Sequence, residues 1–74
     1  MNTQHTTGDR ISALRRSLGL TQPQFAAALG VPLSTLSKWE VGTRIPSGAA
    51  ATLIHLLEQH PHLVHSTLLP QAEK

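Results

Sequence analysis

The tightest constraint on this chain is its punctuation. Single glycines at Gly19, Gly30 and Gly42 cut an alanine- and leucine-rich stretch into short pieces, each carrying apolar residues at helical spacing. The first helix is expected to start near Gly8-Asp9, with Asp9 as its cap or as a first-turn charge. Ile11, Leu14 and Leu18 form its apolar face. Thr21-Gln22-Pro23-Gln24 has the form of a capping box, with Pro23 in the first turn, where its missing N–H costs nothing. Phe25, Ala26 and Leu29 then face inward. A third helix is expected over about Pro32–Val41, with Leu36 and Trp39 inward, followed by an extended connector Thr43-Arg44-Ile45-Pro46. A fourth spans Gly48–Gln59 after Ser47 as cap, with Ala50, Leu53, Leu56 and Leu57 on its apolar face. His60-Pro61 breaks it. A short fifth helix runs from Pro61 through about Leu69.

Length and composition fit this outline. Seventy-four residues make one domain. We read residues 1–7 as an arm, 8–69 as the folded unit and 70–74 as a tail. There are no cysteines, which excludes disulfides and thiolate metal sites and fits a reducing cytoplasm. No apolar run approaches the ~20 residues of a membrane span. No basic segment followed by an apolar stretch opens the chain, so no leader is expected. Six Lys/Arg face four acids, for a net charge of +2, compatible with a polyanionic partner. One Phe, one Trp and no Tyr argue against a stacking platform for single strands. The carboxylates Asp9, Glu40, Glu58 and Glu73 are scattered and form no nucleophile–base–acid set, so no enzyme is expected. His55, His60, His62 and His65 are read as a polar rim rather than a metal site, because cysteines are lacking and Pro61 interrupts any regular ligand spacing. No cofactor is expected.

Two short helices joined through Gly30-Val31-Pro32 have the sequence shape of a helix-turn-helix. Ala27 supplies a small residue where helices approach, Gly30 a left-handed turn and Val31 an apolar plug. At this point a resemblance becomes plain. Residues 10–46 resemble the Cro/cI-like (XRE, lambda-repressor-like) helix-turn-helix family. It is carried by Leu14-Arg15, Leu20-Thr21-Gln22, Phe25-Ala26, Leu29-Gly30-Val31, Ser34-Thr35-Leu36-Ser37, Trp39-Glu40, Gly42-Thr43-Arg44 and Pro46. Residues 47–66 further resemble the last helices of the DNA-binding domains of MqsA- and HigA-type antitoxins. The resemblance implies an all-α, five-helix domain. It also implies a homodimer on an inverted-repeat operator, with helix three in the major groove of double-stranded DNA.

Roles follow residue by residue. Ser34 and Lys38 share one face and match base-contacting positions; for Lys38 the alternative is a phosphate or solvent. Leu33 can meet a thymine methyl. Thr35 and Ser37 flank that face, Thr35 toward bases and Ser37 toward backbone. Gln22 matches a phosphate-anchoring position, with Thr21 chiefly a cap and Gln24 either a capping partner or a phosphate contact. Thr43 and Arg44 match backbone-gripping positions. Arg15 and Glu40 match a structural salt bridge. Arg10 and Arg16 are phosphate contacts or plain surface. Leu53, Leu56, Leu57, Leu63, Val64, Leu68 and Leu69 exceed what a three-helix core needs, which suggests a dimer interface through the last helices.

The function so implied is a sequence-specific repressor that autoregulates its operon, of the phage, plasmid or anti-CRISPR-associated type. The alternative is a type II antitoxin that also binds a cognate toxin protein. A helix-turn-helix fold kept as a protein-interaction module is disfavoured by the polar and cationic residues at 22, 34, 38 and 44.

Overall fold

The computed structural model describes residues 6–68, with side chains through Ser66. It holds α1 (Thr7–Ser17), α2 (Gln22–Leu29), α3 (Leu33–Val41), α4 (Gly48–Gln59) and a closing π-helical turn, Val64–Leu68. No strand occurs among the described residues. α1 and α2 pack chiefly on α3, and the closing turn packs on α2. The core is Ile11 and Leu14 of α1, Leu20, Phe25 and Ala26 of α2 and its approach, Leu36 and Trp39 of α3, and Ile54, Leu57 and Val64.

The glycine punctuation acts as expected. Gly30 and Gly42 cap α2 and α3 in the left-handed region, at φ 74° and 93°, where a Cβ would be strained. Both α1 and α2 open on complete capping boxes. Thr21 Oγ1 accepts from the Gln24 N–H at 3.2 Å, and Gln24 Oε1 accepts from the Thr21 N–H at 2.9 Å. At α1 the cap is Thr6, not Asp9. Asp9 is its reciprocal partner three residues on, so the helix begins at Thr7, ahead of the expected boundary. Thr6 was passed over because it lies in a polar run without periodicity. Pro32 is the N-cap of α3 and Ser47 that of α4, and neither side chain makes a capping bond.

Three packing expectations change. Ala27 is exposed, whereas Ala26 and Ala28 are buried; the inward positions of α2 are 25, 28 and 29, with 26 beside them, which turns 27 to solvent. Leu57 and Val64 are fully buried in the core of the single chain, and Leu53 and Leu63 pack half-buried against it. The core is not closed by three helices: α4 and the closing turn complete it and absorb leucines assigned to a dimer. Among the described residues of that set only Leu56 is exposed. The Leu68 and Leu69 side chains lie outside the described residues. The fifth helix reduces to the π turn.

One contact had no sequence signal. Gly8 is buried against the end of α3, where a Cβ would lie 2.5 Å from the Glu40 carbonyl oxygen and 2.7 Å from that of Trp39. Only glycine lets the two backbones approach so closely.

Candidate nucleic-acid interface

α3 is amphipathic across its axis. Leu36 and Trp39 are buried. At about 100° per residue, Ser34 and Val41 point directly away from them, with Leu33, Ser37 and Lys38 on either side. Ser34 and Lys38 are exposed, as the spacing predicts. Leu33 is 45% exposed and Val41 75%. Val41 was missed, although it lies three residues beyond Lys38 and seven beyond Ser34, on their face. Thr35 is half-buried and sits off this stripe, which weakens it as a base contact.

What fixes the stripe in space is the Glu40 carboxylate, the meeting point of three helices. Arg15 Nε donates to Glu40 Oε2 at 2.8 Å and Arg15 Nη2 to Oε1 at 3.2 Å, a forked pair. The third Arg15 nitrogen, Nη1, donates to the Leu20 carbonyl at 3.1 Å. Ser12 Oγ and Gln22 Nε2 add bonds to Glu40 Oε1 at 3.0 and 3.1 Å. Burial pushes the Glu40 carboxyl up, but the bonds from Arg15, Gln22 and Ser12 outweigh it and hold the group below its ordinary value. The Arg15–Glu40 pair was legible from the family pattern. Ser12 was not, although it precedes Arg15 by three residues on the same helix face.

Gln22 is half-buried. One amide N–H is committed to Glu40, and its carbonyl accepts from Ser37 Oγ at 3.4 Å. Gln22 and Ser37, both assigned to backbone contact, are therefore first of all a link between the start of α2 and the outer face of α3. Thr21 and Gln24 are exposed and engaged in the capping box. Thr43 is exposed and donates from Oγ1 to the Lys38 carbonyl at 3.4 Å.

The cations divide in two. Arg15 is neutralised by Glu40, and Arg10 by Glu58 of α4 at 2.6 Å and 3.2 Å. Arg10 therefore ties α1 to α4 rather than standing as plain surface. Lys38, Arg44 and Arg16 have no acidic partner among the described residues. Lys38 lies on the α3 stripe and Arg44 on the exposed connector just past it, so unpaired positive charge stands on α3 and on the segment that follows it. Such charge favours a polyanion.

Comparison with known proteins agrees with this geometry. A helix-turn-helix family model matches residues 11–55. The antitoxin HigA-2 of Vibrio cholerae serotype O1 is 36% identical over 53 residues, covering 72% of this chain and 51% of that protein. An uncharacterized HTH-type transcriptional regulator of Bacillus subtilis, YazB, is 50% identical over 42 residues, covering 57% of this chain and 61% of that protein. The chain thus spans between about half and three-fifths of the length of these relatives.

Proposed function

This chain belongs to the XRE-type helix-turn-helix family of DNA-binding regulators, and on that premise we propose that it is a transcriptional repressor acting as a homodimer on an inverted repeat in its own promoter. One observation carries the reading: Ser34 and Lys38 stand exposed on the face of α3 opposite Leu36 and Trp39, held there by Arg15, Ser12 and Gln22 converging on Glu40. A helix presented so firmly suits a groove in which small shifts break hydrogen bonds to base edges.

In this reading Lys38 and Ser34 contact bases, and Arg44 and Thr43 grip the backbone. The second Gln22 N–H, which has no partner among the described residues, is free for a phosphate. Two chains meet through the outer side of α4, where Ala49, Thr52 and Leu56 are exposed and uncharged and Leu53 is half-buried beside them. The site of action is the cytoplasm, where the promoter is. No helix among the described residues is long and apolar enough to cross a membrane.

A second reading, favoured by the likeness to HigA-2, a protein named as an antitoxin, adds a toxin protein as partner. Co-expression with the product of the adjacent gene and co-purification would decide it.

The division of labour is tested by two substitutions. Lys38→Ala should lower affinity for the operator by ~1–3 kcal/mol and relax preference at one base position. Arg44→Ala should weaken all duplexes about equally and flatten the salt dependence. Identical behaviour of the two variants would contradict the assignment.

A further inference from the structure

The outward stripe of α3 is bracketed by aliphatic groups. Leu33 opens the helix and Val41 closes it, and both are substantially exposed. An isolated exposed valine or leucine needs no explanation, but Val41 stands on the face that also carries Ser34 and Lys38, and Leu33 flanks that face at the start of the helix. Val41 points directly away from the buried Leu36 and Trp39. The helix has nine residues, about 13 Å of length, comparable with a major groove about 12 Å wide. Both ends of so short a helix can therefore lie within the groove.

An aliphatic side chain has one apolar feature to meet on the base edges of that groove, the C5-methyl of thymine. Leu33 and Val41 are eight residues apart, about 12 Å along the axis, a span of at most three to four base-pair steps at about 3.4 Å each. Lys38 lies between them in sequence. Resting on the DNA-binding reading above, we propose that Val41 is a further specificity-determining residue, and that each half-site presents two thymine methyls no more than four base pairs apart, one on Leu33 and one on Val41, flanking the guanine read by Lys38.

The test begins with selection of half-sites from a randomised duplex pool by the full chain. Each thymine of the selected duplex is then replaced by deoxyuridine, which removes only the methyl. Two thymines per half-site, at the stated spacing, should each lose about fourfold in affinity, as expected for one methylene-sized apolar group. Leu33→Ala should abolish the thymine–uracil difference at one of them and leave the other intact; Val41→Ala should do the converse. Val41 is exposed, so this variant keeps the core. Uracil tolerated at every position overturns the proposal, as does Val41→Ala weakening thymine and uracil duplexes alike, the mark of contact with sugar or phosphate. A pool that shows no enrichment overturns the DNA-binding reading as well.

Discussion

The Glu40 side chain is 6% exposed and that of Arg15 16%, and the carboxylate takes further bonds from Ser12 and Gln22. Its proton affinity in the fold is lower than the ordinary carboxylate value of 4.5, so the folded state binds the proton less readily than the unfolded chain does. The resulting stability is fully present above 4.5 and is lost as pH falls through the lower folded value. Urea unfolding at a series of pH values should show a decline beginning near 4.5. Glu40→Gln should be less stable at neutral pH, because Arg15 is stranded, and should show a shallower decline in that window. At Gly8 a Cβ would meet two carbonyl oxygens of the α3 backbone. Gly8→Ala should therefore cost about 1–3 kcal/mol, read as a lowered melting temperature. The two residues differ in legibility. Arg15 and Glu40 sit in a motif that can be matched position by position. Gly8 is constrained by a segment more than thirty residues away, which no local pattern records.

At the scale of the element, helix ends were more legible than helix faces. Left-handed glycines and Thr-x-x-Gln announce themselves in a few residues. Even so, cap position and cap chemistry are different things. Thr21 accepts a bond from the Gln24 N–H, whereas Ser47 stands at the N-cap of α4 without one. Thr21→Ala should cost about 1 kcal/mol, and Ser47→Ala should leave the unfolding free energy nearly unchanged. Equal losses in chemical denaturation would contradict the assignment of caps. Faces depend on partners. Leu57 and Val64 read as surplus when the core was counted on three helices, and became core once α4 and the closing turn folded over it. Val41 was left without a role because it was read only as the end of α3; its spacing from Ser34 and Lys38 and its 75% exposure put it on the outward side.

At the scale of the molecule, the all-helical architecture and the orientation of α3 followed from spacing and motif together. The docking of α1 on α4 through Arg10 and Glu58 did not, because ion pairs 48 positions apart leave no periodic trace. Lys38 stands exposed on α3 and Arg44 on the connector that follows it, both without an acidic partner among the described residues, whereas Arg10 and Arg15 are paired within the chain. The central claim is that this face holds duplex DNA and reads its sequence. Its most direct measurement is equilibrium binding of the wild-type chain to the selected inverted repeat and to a scrambled duplex between about 50 and 200 mM salt. The account predicts affinity falling linearly in log–log form with a slope of about −0.9 per phosphate contact, and a clear preference for the repeat at every salt concentration. Binding insensitive to salt and equal for both duplexes would contradict it.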